Sequence, residues 1–398
     1  MARFWLEFCR EGHRHCTSAR NEHDKPPLLP KRVLDLADHS LSGPLLVCPT
    51  LGSRAPYVTL SHCWGKKKLI RTLEGNISRY LTTGIPWSEL PQTFQDALDI
   101  THRLGFRYLW INSLCIIQDS TEDWKEESAK MADIYRNADL CISALDSQDS
   151  SEGIYRSRDG LLHSPCKLWD EPPPGLCIPS GIGGLVYAFA DQNSSPSSSE
   201  GPLAHRAWVL QEELMSGRRL IYGKDILYWS CLTMEVSTRE PHLVFGTPDA
   251  KLSRGRYDWH QYFQAAIGEL LDNMEMSGSD MKKLYQCWLC IIENYSQRGL
   301  TKGSDKLTAL AGLASEFGRV TQDSYLSGLW GRYLWRQLLW SVASEGAPLF
   351  NKEVPSEIPE PWLVPDFLGE LDAKVQLRLD ANLSTKVQRG VGRGLTAV

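Results

Sequence analysis

The sequence predicts an α/β fold: a parallel sheet flanked by helices, with a loop-rich insertion and a mostly helical C-terminal region. Three observations predict it. Apolar β-type runs alternate with amphipathic helical stretches between residues 57 and 144. Such alternation implies right-handed crossovers and parallel strands. A stretch rich in Pro, Ser and Gly interrupts the pattern over about residues 146–205, and beyond Asp258 helical periodicity carrying Trp and Leu takes over.

Taken in order, residues 1–24 read as a helix with Phe4, Trp5, Phe8 and Cys9 on an apolar face. The prolines Pro26, Pro27 and Pro30 break it. Residues 32–36 read as a short strand, and 45–47 as another apolar run. Residues 57–65 are β-rich and end at Gly65, as a buried strand with a loop at its carboxyl end does. From Trp87 to Leu104 apolar residues recur at helical spacing, and Gly105 stops the run. Residues 108–117 form a near-continuous apolar run, the pattern of a strand buried on both faces. A second helix is expected over 119–138, with Asp119 or Ser120 as its N-cap, followed by a strand over 140–144. Residues 205–215 read as a helix, and 219–222 with 227–231 as a β-hairpin. Four helices are expected over 262–274, 281–295, 305–317 and 324–342. The expected divisions are 1–245, a helical region 246–345, and an irregular tail 346–398.

Bulk composition narrows the function. Of 398 residues, 42% are hydrophobic and 23% charged, which supports a packed core. The net charge of −5 argues against a nucleic-acid partner, which calls for clustered Lys and Arg. No apolar run approaches the ~20 residues of a membrane span, and the first residues lack a signal-peptide core, so a cytoplasmic location is expected. The 11 cysteines are scattered, which fits reduced thiols better than a disulfide framework. No glycine-rich phosphate loop and no His-Glu-x-x-His motif occurs, so neither a Rossmann dehydrogenase nor a zinc protease is expected.

Two clusters carry chemistry by composition. Ser61, His62 and Cys63 sit where a strand ends, where ligands gather in parallel sheets. A Cys-His nucleophile pair is one reading. Neighbours on a strand point to opposite faces, which favours a structural or ligand-contacting role. Cys9, His13 and Cys16 have metal-ligand composition, but zinc wants a fourth ligand, which His15 or a distant Cys would have to supply. The alternative is a packed helix with half-buried thiols, and no metal is assigned.

Three segments together resemble the fungal HET (heterokaryon incompatibility) family. The first is Tyr57-Val58-Thr59-Leu60-Ser61-His62-Cys63-Trp64-Gly65. The second runs from Leu90-Pro91-Gln92-Thr93-Phe94-Gln95-Asp96-Ala97 through Tyr108-Leu109-Trp110-Ile111-Asn112-Ser113-Leu114-Cys115 to Tyr135 and Asn137. The third is Arg206-Ala207-Trp208-Val209-Leu210-Gln211-Glu212. Where the family carries Asp, this sequence has Asn112. The resemblance implies a flavodoxin-like sheet, distantly similar to TIR domains, and a role in nonself recognition and programmed cell death.

Some TIR domains hydrolyse NAD with a Glu four residues after a Trp, and Trp208 and Glu212 have that spacing. By resemblance Glu212 is then the catalytic carboxylate, and Ser61, His62, Trp64, Asn112 and Trp208 contact the ligand. NAD is the expected substrate, with no cofactor and no metal in the pocket. Glu212 also reads as a solvated helix residue or the ion-pair partner of Arg206, Arg218 or Arg219. A self-associating scaffold without catalysis, acting as a homo-oligomer, and a small-molecule biosynthetic enzyme using the same cleft stand as alternatives.

Overall fold

The computed structural model describes residues 1–13, 16, 25–37, 43–65, 69–157, 166–169, 186–188, 201–238, 263–264, 278–326, 328–337, 340–342 and 395–397. Helix α1 (Ala2–Gly12) buries Trp5, Leu6 and Cys9. It ends at Gly12, where His13 turns to an extended backbone at φ −101° and ψ 97°; of the rest of the expected 1–24 helix only Cys16 is described. Strands β1 (Val33–Asp35) and β2 (Leu45–Val47) pair antiparallel. Strand β3 (Tyr57–Ser61) is buried at all five positions, as its apolar and β-branched residues require. A short helix α2 (Ile77–Thr82) follows, which the sequence reading passed over.

Helix α3 (Gln92–Arg103) starts later than Trp87. Pro91 lacks an N–H and holds an extended ψ of 159°, so Trp87–Glu89 winds into a separate 3-10 turn. Strand β4 (Tyr108–Trp110) is shorter than the apolar run that predicted it. The chain turns at Ile111 into α4 (Asn112–Cys115), whose Cys115 N–H bonds to the Ile111 carbonyl at 2.8 Å. Leu114 and Cys115 are fully buried, and burial on all sides looks the same in sequence for a strand or a helix. Helix α5 (Thr121–Asn137) has Ser120 at its N-cap position without a side-chain bond, while Asp119 accepts the Glu74 N–H at 2.9 Å. Strand β5 (Leu140–Ser143) is wholly buried.

Within the expected insertion, β6 (Cys166–Trp169) and β7 (Val186–Ala188) form an antiparallel ribbon. The rest of 158–200 lies outside the described residues. Helix α6 (Ala207–Met215) leads to the expected hairpin of β8 (Arg218–Tyr222) and β9 (Leu227–Cys231), extended by β10 (Glu235–Ser237). Helices α7 (Gly278–Ser296) and α8 (Thr308–Thr321) follow. Of the expected 262–274 helix only Phe263 and Gln264 are described. The expected 324–342 helix is corrected to a short helix at Leu334–Gln337: Tyr325–Leu326 pairs with Leu329–Trp330 around Gly328, whose φ of 108° no helix allows. Trp330 is thereby buried against Trp288 and Phe317.

The main sheet has eight strands in the order β10-β9-β8-β5-β3-β4-β1-β2. Only its centre is parallel: β3 pairs with β4 and β5, and β5 with β8. Both edges are antiparallel. Numbered by their appearance in the chain, the parallel strands lie in the order 2-1-3-4, that of flavodoxin-like sheets. The connections leave β3 and β5 in opposite directions, which makes their carboxyl ends a topological switch point.

One apolar cluster runs from the sheet through α3, α5 and α6 into α7 and α8. A Cβ at Gly312 on α8 would stand 2.4 Å from the Ala132 Cβ on α5, so the missing side chain lets these helices close. Among the described residues no helix is long and apolar enough to cross a membrane.

Candidate functional site

The carboxyl ends of β3 and β5 are laced by backbone and side-chain bonds. The Ala144 N–H bonds to the Ser61 carbonyl at 3.0 Å, and the Ser150 hydroxyl to the Cys63 carbonyl at 3.2 Å. Arg206 donates from Nη1 to the His62 carbonyl at 3.1 Å. Gly65, at φ 74°, lies so close to Asp149 that a Cβ would come within 2.1 Å of the Asp149 Cβ. Asp96 anchors the loop after β5 from below. Its carboxylate accepts the Ile154 N–H at 2.6 Å, the Tyr155 N–H at 3.1 Å and the Gln92 side-chain amide at 2.6 Å.

Strand alternation divides the Ser61-His62 pair between the two faces of the sheet. Ser61 faces α6 and donates its hydroxyl to the Glu212 carboxyl. His62 faces α3 and meets the Phe94 ring edge-on, with centroids 4.9 Å apart. Both are buried, and neither ring nitrogen of His62 finds a hydrogen-bond partner. Burial, helped by the positive charge of Arg206, pushes the His62 imidazole down to about 3. Burial raises the Cys63 thiol, so this histidine and this cysteine are both held neutral rather than as an ion pair.

Glu212 is the other perturbed group. Burial raises its carboxyl above the usual range, opposed by the Ser61 hydroxyl bond and the charge of Arg206. Tyr135 on α5 stands beside the same carboxyl, and burial together with that carboxyl pushes its phenol well up. The alternative reading of Glu212 as an ion-pair partner of Arg206, Arg218 or Arg219 is not met by a direct bond among the described residues, since Arg206 goes to the His62 carbonyl. Arg219 and Arg298 both go to Glu213, at 2.9 and 2.8 Å. Arg218 turns away to Cys9 and Cys16.

The remaining expected ligand contacts separate. Trp64 donates from its indole to the Asn112 side-chain oxygen at 3.2 Å, so these two meet each other. Asn112 also accepts the Gln118 amide on its carbonyl at 3.1 Å. Trp208 is half-buried against the main core, one turn before Glu212. A shallow cleft of about 500 Å³ opens beside the ends of β5 and β8, lined by Asp146, Gln148, Glu152, Arg156, Pro202 and Lys224. None of the six expected site residues lines it. Sequence reading missed Tyr135 and Asp96 as members of this end of the sheet. Asp96 was visible within the Leu90–Ala97 segment, but its bonds to residues 154 and 155 bridge a separation no local pattern carries.

Residues 57–212 match the family model described as Heterokaryon incompatibility protein (HET). The match begins at the first residue of β3 and ends at Glu212. No curated protein and no solved structure matches the chain.

Proposed function

We propose that this chain, whose residues 57–212 are a HET domain, serves a heterokaryon-incompatibility response linked to cell death through NAD glycohydrolysis by Glu212. What supports the reading is the carboxyl itself. It stands at the switch point of the parallel sheet, bonded by Ser61, with a proton affinity raised by burial. Strongly perturbed groups at such a point mark candidate functional sites.

The chemistry is the cleavage of the nicotinamide–ribose bond by water, giving nicotinamide, ADP-ribose and a proton. A carboxylate beside the ribose stabilises the oxocarbenium character of the transition state. That task needs an ionised, reachable carboxylate. Glu212 is 4% exposed, so in this conformation it is a closed site. Opening would have to move α6 away from the end of β3, freeing Glu212 from Ser61 and exposing Trp208 for stacking.

The same burial favours a second reading, a self-associating scaffold in which Glu212 only clamps α6 to β3. A biosynthetic activity in the open cleft would instead use Arg156, Glu152 and Lys224. Incubating the purified chain with NAD, dilute and at high concentration, and measuring free nicotinamide tests the proposal. Turnover that rises with concentration and vanishes in Glu212→Gln supports it. No turnover at any concentration, with Glu212→Gln folded and self-associating like the wild type, replaces it with the scaffold reading.

A further inference from the structure

At the opposite end of the sheet, four residues from distant parts of the chain converge. Cys9 lies on α1, His13 and Cys16 lie just past its end, and Cys231 closes β9. Their sulfur and ring-nitrogen atoms all lie within 4.8 Å of one another, and all four residues are buried. The His13 Nδ1 stands 3.4 Å from the Cys231 Sγ and 3.9 Å from the Cys16 Sγ. Continuous helical spacing does not produce the convergence, since α1 stops at Gly12 and His13 is extended. Cys231 comes from far along the chain, held by the pairing of β9 with β8.

We propose that Cys9, His13, Cys16 and Cys231 form a structural zinc site of three thiolates and the His13 Nδ1. Zinc prefers this ligand set in tetrahedral geometry, with Zn–S bonds of about 2.3 Å that put sulfurs about 3.8 Å apart. The observed spacing needs a contraction of roughly 1 Å to reach that. The protein fills all four positions, which marks a closed structural centre rather than a catalytic one. Its place agrees, because Cys231 pairs with Arg218 at the start of β8, away from the carboxyl ends where Ser61 and Glu212 sit.

The surroundings fit the charge that results. Binding displaces the thiol protons to solvent, and three thiolates around a divalent ion leave one negative charge. Arg218 answers it, donating from Nε to the Cys9 Sγ at 3.2 Å and from Nη2 to the Cys16 carbonyl at 3.0 Å. Thr233 Oγ1 stands 3.4 Å from the Cys16 Sγ as a further donor. A disulfide would join two of the sulfurs at about 2.05 Å and strand the third thiol and the imidazole in a dry pocket. The zinc ties the N-terminal helix to the antiparallel edge of the sheet, which the sequence reading left as a helix with half-buried thiols.

The test uses the full chain, purified without chelator, with zinc measured by elemental analysis and the intact mass recorded. One zinc per chain is expected, retained in Cys48→Ser, whose cysteine is exposed, and reduced at least about ten-fold in Cys231→Ser. Replacing zinc by Co²⁺ in the wild type should give tetrahedral d–d bands with sulfur-to-cobalt charge transfer. That spectrum decides the matter even if Cys231→Ser fails to fold. Zinc-free wild type that gives no such cobalt spectrum, or a mass short of two hydrogens from a disulfide within the cluster, overturns the proposal.

Discussion

Glu212 and Glu213 are neighbours on one helix, yet among the described ion pairs the arginines bond to Glu213 and not to Glu212. Glu213 receives Arg219 and Arg298, at 2.9 and 2.8 Å, in a buried triad that also ties α7 to α6. Glu212 points to the end of β3, takes the Ser61 hydroxyl, and is raised by burial toward its protonated form. One helix thus presents a structural carboxylate and a tuned carboxyl on adjacent positions. The family resemblance named the second; nothing local in the sequence separates it from the first.

The two carboxyls should respond oppositely to the same substitution. Glu213→Gln leaves two buried arginines short of a counter-charge and is expected to destabilise by about 3–5 kcal/mol. Glu212→Gln keeps a neutral acceptor for Ser61 and is expected to gain stability over the wild type as pH rises above 4.5. The sign follows from linkage: a raised carboxyl keeps its proton in the folded state after the unfolded chain has lost it. Wild-type stability is therefore full below the ordinary value of 4.5 and declines as pH rises through the folded value. The variant's gain should grow by at most about 1.4 kcal/mol per pH unit across that window. Urea unfolding at a series of pH values reads it, and a pH-independent difference between the two proteins rules the assignment out.

His62 should act in the other direction. Its folded value of about 3 lies below the ordinary 6.5, so the unfolded chain binds the proton first as pH falls. The contribution of a neutral His62 is whole above pH 6.5 and is lost toward pH 3, by up to about 1.4 kcal/mol per pH unit. His62→Leu removes a buried imidazole without partners and should flatten this acid limb, while changing neutral-pH stability by about 1 kcal/mol. An acid limb as steep in the variant as in the wild type would contradict a buried neutral imidazole.

The sheet's parallel centre was legible because β3 and β5 are apolar β-type runs and α3 and α5 carry clean helical periodicity. The antiparallel edges were half legible. The β8–β9 hairpin shows as two β-type runs across a short turn, whereas β1 pairs with β4 across more than 70 residues. The turn at Asn112 hid inside an apolar run, since full burial erases the difference between strand and helix. At the site, strand alternation foretold that Ser61 and His62 part company. The gathering of Cys231 with Cys9, His13 and Cys16 depends on strand pairing and could not be read from spacing.

Asp96 should control the loop that follows β5. Its carboxylate accepts two backbone N–H groups, from Ile154 and Tyr155, and sits buried beneath them. Asp96→Ala strands both donors and is expected to cost about 3 kcal/mol, the range for bonds to a charged acceptor. Hydrogen exchange localises the effect: the amides of residues 154 and 155 should lose protection while those of β3 and β5 keep theirs. Unchanged protection at 154 and 155 would mean the loop is held by its other contacts.

Gly65 closes the mouth of the sheet for two separable reasons, and a substitution there can tell them apart. Its φ of 74° strains any side-chain-bearing residue, a cost of about 1–3 kcal/mol. Beyond that, an added Cβ would meet the Asp149 Cβ at 2.1 Å, so the loop after β5 must retreat. Gly65→Ala in the wild type should therefore destabilise by more than the backbone term alone, about 3 kcal/mol or more. In an Asp149→Gly background the Cβ clash is gone, although the Cα at position 149 stays 3.0 Å away, so the cost should fall toward the backbone term. A thermal-unfolding cycle over the four proteins measures the coupling, and strict additivity of the two substitutions would show that Gly65 and Asp149 do not press on one another.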